Sequence, residues 1–279
     1  MIQVWVLQCE PPAVTMPRMT GDQFHSSPSA ASGDSLMWEG DSLASPHAQD
    51  DKAERVRHMF DAIAPTYELI NRLASMGRDR YWRREMVRLA RVRPDDDLVD
   101  IACGTGNVVR AFAAAAVHPR RIIGLDFSWQ MLHRAAHRRS AGGIFLKGDA
   151  HRLPLSDRSV SIVTCAFGIR NFQGVGAGLS EICRVLRVGG RAVILEFSIP
   201  DRAILRQLYL FYFKRVMPWA ATLISRDRGG AYRYLPRSVL SFFGDEAICR
   251  ALERAGFSEV TVNRRSCGIV TVYVATKGR

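Results

Sequence analysis

Hydrophobic and polar residues follow no regular period over the first 51 residues of the chain. In that segment, seven serines, five prolines and three glycines separate scattered apolar residues. Such a segment cannot bury enough apolar surface to offset the conformational entropy that ordering would cost. Residues 1–51 are therefore predicted to form a disordered low-complexity tail.

From residue 52 onwards, apolar residues recur three and four positions apart or in short continuous runs, which are the patterns of helices and of buried strands. Helices are predicted at 52–63, 67–74, 79–91, 107–116, 128–139, 175–186 and 245–255. Strands are predicted at 98–102, 121–126, 144–147, 160–165, 191–197, 259–264 and 268–275, with a turn at 188–190 before the fifth strand.

The alternation of strands with helices indicates parallel βαβ units. The last two strands are close enough in sequence to run antiparallel. We therefore predict an α/β fold for residues 52–279, with a doubly wound, mostly parallel, Rossmann-like sheet of seven strands and an antiparallel C-terminal strand pair. The helical segments at 52–91 and 201–235 are expected to form a cap on this domain.

The loop after the first strand presents backbone to a ligand. The run VDIACGTGN at 99–107 places Asp100 in the strand and Gly104, Thr105 and Gly106 in the loop that begins the next helix. Glycines allow close approach of the backbone, and the start of a helix has free N–H groups. A dinucleotide fingerprint needs a third glycine where Val109 stands, and the G-K-[ST] of a P-loop is absent. Alone, the G-x-G pattern fits a plain tight turn equally well.

Acidic residues follow the next two strands. Asp126 ends the second strand, where a carboxylate can accept hydrogen bonds from ribose hydroxyls. Asp149, followed by Ala150, comes after the third strand and can accept from an adenine amino group. Ligands of open α/β sheets bind at the carboxyl ends of the strands. With no pyrophosphate site, the set favours S-adenosylmethionine as the ligand over the alternative of solvated loop acids.

The same run, VDIACGTGN, resembles the first motif of class I S-adenosylmethionine-dependent methyltransferases. Four further runs resemble those of one branch, the ubiquinone/menaquinone biosynthesis C-methyltransferases; these are FDAIAPTYELIN (60–71), FGIRN (167–171), RVLRVGGRAVILEFSIP (184–200) and YRYL (232–235). The resemblance covers about residues 55–277. It implies the class I fold, S-adenosylmethionine as cofactor, and methylation of a ring carbon of a polyprenylated hydroquinone, typically demethylmenaquinol or its ubiquinone-pathway counterpart.

The sequence departs from this family pattern at three positions. Glu68 and Asn107 stand where the family usually has aspartate, after the entry tyrosine and after the GTG run. Ala166 stands where a family serine helps to bind the cofactor at the end of the fourth strand. Only the backbone of Ala166 could make that contact.

Methyl transfer from a sulfonium depends on alignment and on an electron-rich nucleophile. A hydroquinone carbon attacks well only when an adjacent hydroxyl is nearly ionised. We expect Arg170 to lower the pKa of that hydroxyl by its charge and Asn171 to orient it. Tyr67, Tyr232 or a water would relay the proton. The alternative for Arg170 and Asn171 is a structural turn at a strand end.

The charge of the chain suggests anionic partners. The 279 residues carry a formal net charge of +12, and residues 52–279 hold 38 basic and 20 acidic residues, or +18. This favours an RNA or DNA methyltransferase as the leading alternative. Enzymes that methylate base amino groups usually carry [N/D]-P-P-[Y/F] after the fourth strand, where this chain reads AFGI (166–169), so no nucleic acid is expected as substrate. A non-catalytic cofactor-binding partner within a quinone-synthesis assembly is the third alternative.

The stretch 203–224 is long and apolar, but three cations lie within it and Pro218 interrupts it. Cations in a membrane span are costly, so the prediction is a lid at the membrane interface that touches anionic lipid through Lys214 and Arg215. The alternative is an ordinary buried helix.

Because the N-terminus has no recognisable signal or transit peptide, we expect a cytoplasmic enzyme in peripheral contact with the inner face of the membrane. The oligomeric state stays open, with a homodimer among the candidates.

No metal is expected. His133 and His137 lie four residues apart on one predicted helix, but no third ligand is evident and neighbouring arginines suggest a solvated basic face. The six cysteines are dispersed without a C-x-x-C pair, which favours buried free thiols in a reducing compartment.

Overall fold

The computed structural model describes residues 36–138, 142–216 and 231–279. Seven strands in this part of the chain form one sheet. They are β1 (Asp97–Ile101), β2 (Arg121–Asp126), β3 (Ile144–Lys147), β4 (Val160–Ala166), β5 (Leu186–Phe197), β6 (Phe257–Arg265) and β7 (Val270–Lys277).

The strand order in the sheet is β3-β2-β1-β4-β5-β7-β6. Strands β1 to β5 pair in parallel, whereas β7 runs antiparallel to both β5 and β6. The predicted fold class and the antiparallel C-terminal pair are therefore confirmed. Because the first three strands are neighbours, their carboxyl ends meet at one edge of the sheet.

Ten α-helices are described around this sheet. They are α1 (Gly40–Ala44), α2 (Lys52–Ile63), α3 (Tyr67–Ala74), α4 (Asp79–Ala90), α5 (Asn107–Ala113), α6 (Trp129–Ala136), α7 (Val175–Val185), α8 (Ala203–Phe211), α9 (Ala231–Leu240) and α10 (Asp245–Arg254). A π-helical turn, Tyr212–Val216, continues α8. No described helix is long and apolar enough to cross a membrane.

Two hydrophobic clusters cover the two faces of the sheet. In β5, Ala192 and Ile194 belong to one cluster, while Val193 and Leu195 belong to the other. Successive strand side chains point to opposite faces, so an almost continuous apolar run is what a strand buried on both faces requires. The predicted turn at 188–190 lies within β5, at a register irregularity between Leu186 and Arg191.

A third hydrophobic cluster forms the cap. It joins residues of α2 with Tyr209 of α8, Phe213 of the π-turn and Tyr234 of α9. Helix α4 differs from the predicted cap, because it packs against β5 and β7 on the sheet. Its buried Trp82 and Met86 belong to the second cluster of the sheet.

The structure differs from the tail prediction over residues 36–51. This segment contains α1 and packs against the cap, and the side chain of Trp38 has no exposed surface. The apolar residues of the segment lack a period, but Trp38 finds its packing partners more than 190 residues away, beside Tyr234. A local pattern does not contain such a contact. Residues 1–35 lie outside the described residues.

The cysteines differ in part from the prediction of buried thiols. Among the described residues, all are free; Cys103, Cys165 and Cys183 are buried, Cys249 is half-buried and Cys267 is exposed.

Candidate active site

The loop that follows β1 takes backbone conformations that favour glycine. Gly104 has φ +54° and Gly106 has φ +76°, both in the left-handed region. A Cβ on Gly106 would also lie 3.0 Å from Cζ of Phe145. Gly106 precedes the first residue of α5, so these two glycines turn the chain from the strand into the helix.

Asp126 at the end of β2 braces this loop. Its Oδ2 accepts the backbone N–H of Gly104 over 2.7 Å, and its Oδ1 accepts that of Ser128 over 2.9 Å. Burial raises the pKa of the carboxyl to about 6. The carboxylate that the sequence predicts as an acceptor for ribose hydroxyls thus already accepts backbone N–H groups of the loop. It can still accept a further hydrogen bond from a ligand.

Asp149 after β3 is an exposed carboxylate held by its neighbour His151. The backbone N–H of His151 donates to Asp149 Oδ1 over 2.9 Å, and its Nδ1 lies 2.8 Å from the same oxygen. The other ring nitrogen, Nε2, lies 3.0 Å from the backbone nitrogen and 3.2 Å from the carbonyl oxygen of Gly174. The imidazole is thus held between Asp149 and Gly174. His151 is a residue that the sequence reasoning missed.

Thr105 belongs to a polar cluster around Glu68. The Thr105 hydroxyl donates to Glu68 Oε1 over 2.7 Å, and the carboxylate pairs with Arg138 and, at 3.6 Å, with Arg110. Asn107 in turn contacts both Thr105 and Arg110. Two of the three positions that depart from the family pattern, Glu68 and Asn107, are thus joined to each other through Thr105 of the cofactor loop.

Asp100 is enclosed in the sheet. Its Oδ1 accepts the hydroxyl of Thr164 over 2.7 Å, while its buried Oδ2 has no hydrogen-bond partner. Burial raises the pKa of this carboxyl to about 8. Asp100 lines neither of the two cavities described below. Its side chain is therefore not placed to contact a ligand there directly.

A cavity of about 580 Å³ lies at the carboxyl ends of β1, β2 and β3, a size typical of small-molecule sites. The structure brings Gly104, Asp126, Asp149, Ala150 and Ala166 to its wall. Acceptors for ribose and adenine and a glycine loop at a helix start fit a nucleoside with a charged amino-acid tail.

A second, smaller cavity of about 120 Å³ adjoins the first, with which it shares Phe60, Tyr67, Gly104, Ala166 and Phe167. Thr105 lines this second cavity. The other walls come from the cap, from Phe197 of β5 and from α4 and α5, and they combine apolar residues with the charged Asp79 and Arg83. We call the two spaces the cofactor cavity and the acceptor cavity.

Arg170 lines the acceptor cavity from the turn after β4. It is almost fully buried, and its Nη1 donates to Glu196 Oε1 over 2.9 Å and to the carbonyl of Phe167. Its guanidinium lies 5.5 Å from the ring centre of Phe197. The buried Nε has no partner. The Nε–H of Arg170 is therefore an unused hydrogen-bond donor on a residue that lines the acceptor cavity.

Glu196 was missed as a site residue. It is completely buried at the end of β5, where it also accepts the backbone N–H of Phe197. The signal in the sequence is a single carboxylate at the end of the apolar run RAVILEF (191–197). A buried charge needs a partner, and Arg170 is that partner.

The remaining predicted acceptor-side residues are placed as follows. Asn171 lines the cofactor cavity; its Nδ2 donates to the carbonyl of Phe167 over 3.3 Å, and its Oδ1 accepts the hydroxyl of Tyr234 over 3.0 Å. Tyr67 lines both cavities, and burial raises the pKa of its hydroxyl. Tyr232 lies in α9, and its side chain is outside the described residues.

His133 and His137 stack at 4.0 Å between ring centres on α6. In the described part of the chain, no group of three or more histidine, cysteine, aspartate or glutamate side chains is arranged to hold a metal ion.

This sheet order, with the glycine loop and the strand-end acids around one cavity, defines a class I S-adenosylmethionine-dependent methyltransferase. The fold agrees with that of a SAM-dependent methyltransferase from Thermotoga maritima, to which this chain is similar with a TM-score of 0.55 at 21% identity, over 79% of this chain and 98% of that one. Residues 48–277 match the model of the ubiE/COQ5 methyltransferase family, and the chain belongs to that family.

Curated relatives match most of the chain. It is 41% identical over 233 residues to the ubiquinone/menaquinone biosynthesis C-methyltransferase UbiE of Geobacter sulfurreducens, covering 82% of this chain and 90% of the relative. It is 38% identical over 241 residues to the demethylmenaquinone methyltransferase of Bacteroides fragilis, covering 83% and 96%. The protein is an S-adenosylmethionine-dependent methyltransferase, and S-adenosylmethionine is its cofactor.

Proposed function

We propose that this enzyme methylates a ring carbon of a polyprenylated hydroquinone of the demethylmenaquinol type or its ubiquinone-pathway counterpart. The names of the relatives support this substrate class. The observation that carries the proposal is the unpaired buried Nε of Arg170 beside an apolar, aromatic acceptor cavity that adjoins the cofactor cavity. A flat, apolar ring with an acidic hydroxyl matches those walls and that donor.

S-adenosylmethionine supplies an electrophilic methyl group when it is bound. The protein residues would hold the acceptor ring in line, exclude water and favour the ionised hydroxyl that makes the ring carbon nucleophilic. Because Glu196 neutralises much of the charge of Arg170, Arg170 acts mainly as a fixed donor to the hydroxyl oxygen. Since burial raises the pKa of Tyr67, this phenol stays protonated at neutral pH and can relay a proton without holding a negative charge.

The test is a direct assay of the purified protein with S-adenosylmethionine and a short-chain demethylmenaquinol, followed by mass analysis of the quinone product. We expect the mass to rise by one methyl group. The oxidised demethylmenaquinone is the matched control and should not react, because it has no hydroxyl to ionise. Methylation of RNA in a parallel assay, without any methylation of the quinol, would contradict the proposal.

We further propose that the enzyme meets its substrate by docking reversibly on an anionic membrane surface. Helix α8 exposes Ile204, Leu208 and Phe211 by 77%, 61% and 64%, at the spacing of one helix face. Lys214 and Arg215 in the π-turn are exposed as well, while Phe213 of the same turn is buried and lines the acceptor cavity. The rest of the predicted lid, 217–224, lies outside the described residues.

Co-sedimentation with vesicles that contain phosphatidylserine tests this docking. The variant Lys214→Glu/Arg215→Glu is expected to bind more weakly, since each basic residue near such a surface contributes about 1 kcal/mol, and the difference should shrink at high salt. Arg93→Glu/Arg158→Glu, at two other exposed positions, changes the net charge equally and serves as control. Equal loss of binding in both variants would mean that net charge alone attracts the protein.

A further inference from the structure

The segment 36–51, here called the N-terminal strap, is fastened to the parts of the chain that surround the acceptor cavity. Helix α1 of the strap packs against α9. Three hydrogen bonds hold the strap at both ends: Arg55 Nη1 donates to Met37 O over 2.8 Å, His47 Nε2 to Ser238 O over 2.9 Å, and Gln173 Nε2 to Gln49 O over 2.8 Å. The strap thus spans from α2 to the residues just after the FGIRN run.

Trp38 of the strap belongs to the hydrophobic cluster of the cap. Its side chain is fully buried, and its ring lies 4.3 Å from the ring of Tyr234, at 35° between the planes. Tyr234 is itself 1% exposed and lines the acceptor cavity. The packing of two large rings therefore fixes where the hydroxyl of Tyr234 can point.

That hydroxyl is one of two groups that hold the side-chain amide of Asn171. It donates to Asn171 Oδ1 over 3.0 Å, and Asn171 Nδ2 donates to the carbonyl of Phe167. Since the carbonyl can only accept, the amide nitrogen must face Phe167 and the amide oxygen must face Tyr234. Without the bond from Tyr234, only one weak contact would hold the amide beside the cofactor cavity.

We propose that Trp38 is a positioning residue for methyl transfer, which acts through Tyr234 on Asn171. This rests on the proposed quinol methylation. Trp38 precedes residues 48–277, so the family match assigns it no role. Trp38 leaves the cofactor contacts at Gly104 and Asp126 untouched. Asn171 lines the cofactor cavity, whereas Tyr234 lines the acceptor cavity. Loss of Trp38 should therefore impair use of the acceptor more than it weakens cofactor binding.

The kinetic test compares Trp38→Ala, Trp38→Phe, Tyr234→Phe and the double variant Trp38→Ala/Tyr234→Phe, with short-chain demethylmenaquinol as acceptor. We expect Trp38→Ala to lower kcat/KM for the quinol about tenfold, with the Kd for S-adenosylmethionine within about twofold, and Trp38→Phe to recover most of the loss. Trp38→Ala and Tyr234→Phe are expected to disturb the same series of contacts to Asn171. The double variant should therefore have a kcat/KM no lower than that of the more impaired single variant. Additive losses would overturn the proposal.

A stability control separates positioning from simple destabilisation. Phe257→Ala removes a buried aromatic ring at the start of the edge strand β6 and should lower the free energy of unfolding without changing the quinol kinetics. If Phe257→Ala impairs acceptor use as much as Trp38→Ala does, Trp38 acts only on stability.

The side-chain amide signal of Asn171 in an ¹⁵N NMR spectrum gives a readout that needs no activity. This signal should move in Trp38→Ala and Tyr234→Phe and stay in place in Phe257→Ala. An unchanged Asn171 signal in Trp38→Ala would overturn the proposed coupling between Trp38 and Asn171. A wild-type protein that methylates no quinol, but shows the shift in the variants, contradicts the proposed function and supports the path from Trp38 to Asn171.

Discussion

Replacing both members of the buried ion pair, as Arg170→Gln/Glu196→Gln, is expected to lower kcat for quinol methylation by about 10²–10³-fold. The loss corresponds to removing one fixed donor that acts on developing charge. Cofactor affinity should stay within about twofold, because neither residue lines the cofactor cavity. Single-turnover kinetics and calorimetry measure the two quantities.

The double substitution is preferred to Arg170→Ala for a physical reason. Arg170→Ala would leave the carboxylate of Glu196 buried without a partner, which costs about 3–5 kcal/mol and would confuse catalysis with folding. Arg184→Gln is the matched control, since this arginine also has carboxylate partners but lies on α7 away from both cavities. Near-normal kcat in the double variant would assign Arg170 to the structure of the turn.

Replacing Asp126 by alanine is expected to lower the affinity for S-adenosylmethionine at least about tenfold. Hydrogen bonds to a charged group contribute about 1.5–3 kcal/mol each, and 1.4 kcal/mol is a factor of ten. The same change removes the brace on the Gly104 and Ser128 backbone, so the loop itself should loosen. Calorimetry gives the affinity, with Asp95→Ala, an exposed acid before β1, as control.

The pH dependence of S-adenosylmethionine binding provides a second test of the role of Asp126. Burial raises the pKa of this carboxyl to about 6, so it becomes protonated as the pH falls through that value and loses its charge. Affinity for S-adenosylmethionine should be constant above pH 7 and decline below about pH 6. Asp126→Asn should bind weakly at every pH without that decline. An unchanged affinity in Asp126→Ala would contradict the assignment of the cofactor cavity.

The cofactor side of the site could be predicted because its geometry is local and repeated. Asp126 ends one strand, and Gly104 and Asp149 follow within three residues of two others. Parallel neighbouring strands bring their carboxyl ends to one edge whatever the rest of the chain does. The apolar run of β5 likewise needs no partner to indicate a strand buried on both faces. These features depend on spacing along the chain, which the sequence contains.

The acceptor side depends on pairs that are distant in sequence. Glu196 at the end of β5 neutralises Arg170 in the turn after β4, and Trp38 packs on Tyr234. The sequence by itself determined the sheet, the glycine loop and the acids at its edge, since periodicity and turn chemistry are local. Only the tertiary structure decided that Glu196 compensates the charge of Arg170, that Tyr234 holds the amide of Asn171 and that residues 36–51 belong to the domain. The physical reason is that burial and partner choice arise only when distant segments pack together.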